Sequence, residues 1–223
     1  MDKNVPPGAA ILLDFIGGIE APQGYGTIYG NNQGKLPKPL TAMTVDEVIG
    51  AGPGWTRAYG SSAAGRYQFM NATLKGLKKE LGLRGTQLLD ANLQDRLAFH
   101  LLKGRGYDAF MAGTLPTMTF GKQLAQEWAS LPVLAATKGG SRNVTRGQSY
   151  YAGDGLNKSL VAPEAVEAVL VKAKGAHGAP AHSKPAPQTP PPDPKPGGLS
   201  PAVAVIAFIV LVAAILVAFF VRF

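Results

Sequence analysis

Apolar side chains recur at three- and four-residue spacing along much of the chain, and this spacing predicts a mainly helical domain. The first apolar stripe contains Leu12, Phe15, Ile16 and Ile19, which share one face of a helix that begins near Pro7. The same reasoning predicts later helices over residues 67–82, 86–106, 120–131 and 163–174.

Two stretches between these helices carry other local signals. Residues 21–43 are rich in Gly, Pro, Asn and Thr, and "GYGTIYGNNQG" within them predicts a short hairpin or an ordered loop. Residues 44–47, "TVDE", have the form of a capping box, which predicts a short helix that ends at about Ala51, before "GPGW". The expected fold class is therefore mainly α, with a small β-hairpin region near the N-terminal third.

The C-terminal part of the chain has a different pattern. Ala202 to Val221 contain no charged side chain and would span roughly 30 Å as a helix, which predicts one transmembrane helix. The alternative, a buried core helix, would need a large surrounding domain, and none follows. Residues 176–200 hold eight prolines and predict an extended tether. The expected organisation is a domain at 1–175, a Pro-rich tether at 176–200 and a transmembrane helix at 201–223.

Composition narrows the possible chemistry. The chain has a net charge of +8 and no cysteine, so disulfides and thiolate catalysis are excluded. The basic excess reflects either simple solubility or attraction to an anionic polymer. There is no zinc-finger spacing and no long Lys/Arg run, so nucleic acid is not a favoured partner. The three histidines are scattered and no calcium-loop spacing occurs, so no metal and no other cofactor is expected.

Two short stretches remain as candidates for a site. Glu20 lies four residues after Ile16 and eight after Leu12, so it extends the apolar stripe of the first helix. Burial of a carboxyl group on such a face raises its pKa and suits it to acid catalysis. The second stretch, "GSSAAGRYQFM" at 60–70, combines small residues with Arg66, Tyr67 and Gln68 just before a helix. A loop of this kind is also common without any function.

Taken in order, these stretches resemble the lambda-type phage endolysins, which are lysozyme-like lytic transglycosylases. The resemblance is carried by "DFIGGIE", "GYGTIYG", "SSAAGRYQFM", "KKELGL", "LQDRLAFHLLKGRG" and "EWASLP", and more weakly by "GQSYYAGDGL". It covers about residues 10–172. It implies an α+β lysozyme-like fold for the domain and peptidoglycan glycan strands as the substrate.

The resemblance also implies residue roles. Glu20 would be the catalytic acid and base: it would protonate the oxygen between N-acetylmuramic acid and N-acetylglucosamine, then accept the proton of the C6 hydroxyl as a 1,6-anhydro ring closes. The substrate-binding residues implied by the same likeness are Tyr25, Ser62, Arg66, Tyr67, Gln68 and Tyr150. Residues 134–148 are longer and more basic than the corresponding turn of the family, and they are expected to widen the cleft or contact the glycan.

A hydrolase remains an alternative to a transglycosylase. Glycoside hydrolases normally use two carboxylates. The nearest acids after Glu20 are Asp46 and Glu47, which belong to the capping box. A single acid favours the transglycosylase, whereas a hydrolase that uses Asp46 stays open.

The expected location follows from the apolar C-terminal stretch. The N-terminal residues lack the features of a secretory signal, so residues 202–221 would insert as a tail anchor. The chain would then sit in a virion membrane, beside other virion proteins, or in the host inner membrane. The favoured hypothesis is a virion-associated enzyme that opens the wall during infection. The alternatives are a lysis enzyme that acts when phage leave the cell, and a non-catalytic glycan-binding membrane protein.

Overall fold

The computed structural model describes Met1–Ala176. These residues form seven α-helices and one two-stranded sheet, with two 3-10 segments at Tyr29–Lys35 and Leu40–Ala42. In chain order the elements are α1 (Pro7–Glu20), α2 (Val45–Tyr59), α3 (Asn71–Glu80), α4 (Ala91–Gly104), α5 (Tyr107–Met111), α6 (Thr117–Glu127), β1 (Thr137–Lys138), β2 (Asn143–Val144) and α7 (Pro163–Ala176). The domain boundaries predicted from the sequence stay a prediction.

The predicted fold class is wrong in two respects: the hairpin expected within residues 21–43 is not formed, and the sheet lies later in the chain. The hairpin expected within residues 21–43 is replaced by the two 3-10 segments, because Gly30 and Asn31 adopt φ values of 69° and 58° that turn the chain out of an extended path. The sheet lies instead between β1 and β2, which pair antiparallel. Among Met1–Ala176, no helix combines the length and the apolar character needed to cross a bilayer. The stretch predicted to do so, 202–221, lies outside the described residues.

Helix α2 is longer than the sequence predicts. The capping box is present, since Thr44 Oγ1 accepts the Glu47 backbone N–H and the Glu47 carboxylate accepts that of Thr44. The helix then continues through Pro53, which cannot donate to the carbonyl of Ile49. Asn71 Nδ2 donates to that carbonyl at 2.7 Å and replaces the missing bond. The expected break at "GPGW" is therefore wrong, because a side chain from α3 compensates for the proline.

Helix α1 lies at the centre of the domain. Leu12, Leu13 and Ile16 are almost completely buried, as the apolar stripe predicts. The helix packs against α7, where a side chain at Gly8 would meet the carbonyl oxygen of Ala173 at 2.8 Å. Glu20 is the last residue of this fixed helix.

Helix α4 is the other element that determines the site. It begins after Asp90, whose side chain accepts the backbone N–H of Leu93 at 2.7 Å, and it packs against α1. Its buried face includes two polar residues, Gln94 and Asp95, which are fully enclosed. Buried polar groups of this kind must find hydrogen-bond partners, and theirs are in the loops described below.

Candidate active site

The carboxyl group of Glu20 is largely buried where α1 ends. Its Oε1 accepts a hydrogen bond from Ser130 Oγ at 2.5 Å. Burial raises the pKa of Glu20 above its ordinary value, and the Ser130 hydroxyl opposes this increase because it stabilises the charged form. A carboxyl group in such surroundings stays protonated to higher pH than one in water, which is the property that a general acid needs.

Glu20 opens into a cleft of about 790 Å³. The cleft is lined by residues from five segments of the chain, which lie within 20–22, 27–31, 60–70, 127–130 and 151–160. Its rim carries the exposed apolar side chains of Tyr29, Met70, Leu156 and Leu160. A concave site of this size with a perturbed carboxyl group is a candidate active site.

A second carboxylate lines the same cleft. Glu127, the last residue of α6, accepts a hydrogen bond from Arg105 Nε at 2.8 Å and forms an ion pair with Arg105 Nη2 at 2.7 Å, both at Oε2. Asp46, the residue that the sequence suggested as a second acid, is exposed on α2, where it pairs with Lys78, and it does not line the cleft. If the reaction uses a second carboxylate, the geometry favours Glu127 for that role.

Gln94 and Asp95 hold the loops on which the cleft is built. Asp95 Oδ1 accepts the hydroxyl protons of Tyr25 at 2.8 Å and Tyr67 at 2.6 Å. Gln94 Nε2 donates to the backbone carbonyl of Tyr25 at 3.1 Å, and its Oε1 accepts the backbone N–H of Arg66 at 2.9 Å. Burial, and then the hydrogen bond to Asp95, raises the pKa of Tyr67. Both tyrosines thus connect the cleft loops to α4.

The structure brings only part of the predicted binding set into the cleft. Gln68 lines it, and its φ of 48° is a left-handed conformation that its Nε2 supports by donating to the carbonyl of Gly65 at 2.8 Å. Tyr25, Ser62, Arg66, Tyr67 and Tyr150 are not among the lining residues.

Three of these residues have evident structural partners. Ser62 Oγ accepts the backbone N–H of Asn71, the first residue of α3. Arg66 Nη2 donates to Asp14 at 3.0 Å, and its guanidinium lies 5.1 Å from the centre of the Tyr25 ring. Tyr150 packs edge-on against Tyr151, with the ring centres 5.1 Å apart. Of that pair, Tyr151 lines the cleft.

The basic stretch at 134–148 does not contribute to the cleft lining. It contains β1 and β2, and Arg146 at its end pairs with Glu164 and Glu167 of α7. It also donates to the carbonyl oxygen of Leu134 at 2.9 Å. These contacts fasten the sheet region to the last helix of the domain.

Several cleft residues were not singled out from the sequence. Ser130 and Trp128 lie in "EWASLP", a stretch that carried the resemblance, so the motif was a usable signal for them. Glu127 begins the same stretch and Tyr29 lies in "GYGTIYG", so the motifs were a usable signal for these residues as well. Within Met1–Ala176, no group of three or more potential metal-ligating side chains occurs.

Comparison with known families adds an independent observation. The sequence profile of the Endolysin family matches residues 52–155. This segment is similar to endolysins. The match supports a phage enzyme that degrades peptidoglycan. No curated protein and no solved structure matches the chain.

The endolysin-like segment contains three of the five stretches that line the cleft, in whole or in part: it begins within α2 and includes the 60–70 turn, residues 127–130 and the first half of 151–160. It does not include Glu20 or the 27–31 loop. The role of Glu20 therefore depends on its geometry and on the resemblance of its own surroundings.

Proposed function

We propose that this protein is a peptidoglycan lytic transglycosylase that cleaves the β-1,4 bond between N-acetylmuramic acid and N-acetylglucosamine. The observation that carries the proposal is the buried carboxyl group of Glu20, which faces a cleft large enough for sugar rings and has a raised pKa. The similarity of residues 52–155 to endolysins supplies the substrate class.

In the proposed reaction, Glu20 first donates its proton to the glycosidic oxygen, and the bond from that oxygen to C1 of the muramic acid breaks. The ring then carries positive charge, which the new Glu20 carboxylate stabilises. The carboxylate takes the proton from the C6 hydroxyl of the same sugar as the C6 oxygen bonds to C1. Glu20 is protonated again, the sugar ends in a 1,6-anhydro ring, and no water is consumed.

A hydrolase is the second candidate, and the position of Glu127 favours it. A hydrolase needs a carboxylate to activate water or to attack the sugar, and Glu127 lines the cleft with Glu20. However, Oε2 of Glu127 is already engaged by Arg105, through a hydrogen bond from Nε and an ion pair with Nη2. We therefore retain the transglycosylase as the proposed activity.

The test is mass spectrometry of peptidoglycan digested by the full-length chain. The transglycosylase predicts muropeptides that end in anhydro sugars, and these products disappear with Glu20→Gln but persist with Glu80→Gln, a surface control outside the cleft. Reducing ends that disappear with Glu127→Gln would instead establish the hydrolase. If wild type and Glu20→Gln leave the wall equally intact, the non-catalytic glycan-binding alternative replaces both.

The biological role is a separate proposal. The virion-associated enzyme that opens the wall during infection remains the hypothesis favoured by the sequence, and a lysis enzyme is the alternative. Purified virions probed with an antibody to this chain distinguish them, since its absence from particles contradicts the first. The membrane location depends on residues 202–221 and stays a prediction, which fractionation of infected cells would test.

A further inference from the structure

Hydrogen bonds hold the backbone around Ser130 to two other parts of the fold. The carbonyl of Ser130 accepts the N–H of Leu160 at 2.8 Å, and the carbonyl of the preceding residue, Ala129, accepts the hydroxyl of Ser149 at 2.7 Å. Ser130 itself is 8% exposed. Because its backbone is fastened on both sides, the direction of its hydroxyl group is restricted before any substrate binds.

The Ser130 hydroxyl has one hydrogen-bond partner among the described residues, Oε1 of Glu20. A hydroxyl group has a single proton to donate, and here the carboxyl oxygen is the acceptor within reach. The separation of 2.5 Å is typical of a hydroxyl that donates to a carboxylate. Oε2 of Glu20 accepts no hydrogen bond from the described residues.

We propose that Ser130 is a positioning residue for Glu20: its hydroxyl occupies Oε1, so that the proton exchanged with the glycan is carried by Oε2. The proposal rests on the proposed role of Glu20 as acid and base. If Ser130 donates to Oε1 throughout the reaction, the carboxylic proton has only Oε2 as its site. The same oxygen then gives the proton to the glycosidic oxygen and takes one from the C6 hydroxyl, without rotation of the carboxyl group between the two steps.

The hydrogen bond also balances the two roles of Glu20. Burial alone stabilises the neutral acid, which keeps Glu20 protonated before the first step but disfavours departure of the proton during it. The Ser130 hydroxyl stabilises the carboxylate, which is the product of the first step and the base of the second. Removal of the hydroxyl should therefore raise the pKa of Glu20 further and slow the reaction.

Other charged and titratable groups near Glu20 must be considered in any pH profile. Those that line the cleft from other segments are Tyr29, Glu127, Tyr151 and Lys158. Arg105 neutralises Glu127, and the Arg66–Asp14 pair lies beside Gly17, one turn before Glu20. None of these groups is hydrogen-bonded to the Glu20 side chain in the described residues. Ser130→Ala therefore removes the one direct hydrogen-bond partner of that carboxyl group and leaves the other groups in place.

The experiment compares the full-length wild type with Ser130→Ala, Ser130→Thr and Thr114→Ala. Thr114 is the control, because its hydroxyl also makes one hydrogen bond, to the carbonyl of Ala109 at 3.0 Å, but it does not line the cleft. Initial rates on purified peptidoglycan are measured across a pH series. In parallel, the carboxyl carbon of Glu20 is titrated by NMR in each variant, a measurement that does not require activity.

We expect Ser130→Ala to lower kcat about tenfold, a part of what a positioned general acid contributes, with little change in KM. We also expect the alkaline limb of its pH profile and the NMR titration of Glu20 to move to higher pH. Ser130→Thr retains the hydroxyl and should return both the alkaline limb and the NMR titration to the wild-type pH. Thr114→Ala should leave both the alkaline limb and the NMR titration at the wild-type pH, whatever it does to stability.

Two results would overturn the inference: an unchanged titration of Glu20 in Ser130→Ala, or an equal displacement of that titration in Thr114→Ala. Should Ser130→Ala fail to fold, Ser130→Cys provides a weaker donor of similar size, and its Glu20 titration must move in the same direction. Failure of the proposed function has a different signature. In that case Glu20→Gln remains as active as wild type, while the NMR titration still decides whether Ser130 acts on Glu20.

Discussion

Replacement of Asp95 by Asn should destabilise the domain strongly, although the two side chains have nearly the same shape. The Asp95 carboxylate is fully buried. Its Oδ1 accepts the hydroxyl protons of Tyr25 and Tyr67, while its Oδ2 accepts the backbone N–H of Asp2 at 2.6 Å and lies 3.7 Å from the Met1 amine. Every neighbour thus donates or carries positive charge, and a carboxylate matches that arrangement.

The magnitude follows from these contacts. An amide has one acceptor oxygen, so its NH₂ group must face either the two tyrosine hydroxyls or the Asp2 N–H and the Met1 amine. A hydrogen bond to a charged group contributes about 1.5–3 kcal/mol, and a donor left unpaired in the interior costs about 1–3 kcal/mol. With Asp95→Asn we expect a loss of about 3–5 kcal/mol, which is a large part of the stability of an ordinary domain. Tyr25→Phe, which removes one donor, should cost about 1–2 kcal/mol.

The assay is urea denaturation of the full-length chain, followed by tryptophan fluorescence. Trp55 and Trp128 are both buried in the domain, so their emission reports its unfolding. The reasoning is refuted if the free energy of unfolding of Asp95→Asn lies within about 1 kcal/mol of that of wild type, or if Tyr25→Phe lowers it as much as Asp95→Asn does. Either result would mean that the buried carboxylate is not the group that holds the cleft loops.

Three further predictions concern α1 and α2. Gly52→Ala should lower the free energy of unfolding by about 2 kcal/mol, because the new Cβ would lie 2.2 Å from Asn71 Nδ2. Gly50→Ala is its control: nothing lies within 4 Å of the new Cβ, so the same urea assay should show a gain of about 0.5–1 kcal/mol. Thr44→Ala removes the N-cap of α2 and should lower the free energy of unfolding by about 1 kcal/mol. Glu20→Gln should raise the melting temperature at pH 7 but not near pH 4. Burial raises the pKa of Glu20 above 4.5, and the destabilising charge of the carboxylate is present only above that pKa. An equal gain in melting temperature at both pH values would contradict this.

The elements that could be predicted from the sequence are those with local causes. The apolar stripe of α1 and the acid at its end depend on a spacing of three and four residues, and the capping box of α2 lies within four. The continuation of α2 through Pro53 could not be predicted in this way. It depends on Asn71, whose side chain reaches the helix only after α3 has packed against α2.

The same distinction between local causes and contacts made only in the folded chain applies to the residues of the candidate site. Glu20 was identifiable because its burial follows from its own helix. Its partner Ser130 is 110 positions away, and no periodicity connects the two. Tyr25 and Tyr67 were predicted to bind substrate because the resemblance to the endolysins implied it. The structure gives them a partner, Asp95, that the sequence places on a different helix.

The packing of α1 against α7 has a consequence for when the protein becomes active. Among the described helices, α1, which ends in Glu20, is made first, and α7, which begins at Pro163 and packs against it, is made last. A chain that is still being synthesised lacks this cover, so the helix of the proposed catalytic acid cannot be packed until the whole domain has left the ribosome. Partly made chains should therefore lack an assembled cleft. For an enzyme that degrades cell wall, the order of synthesis would itself delay activity until folding is complete.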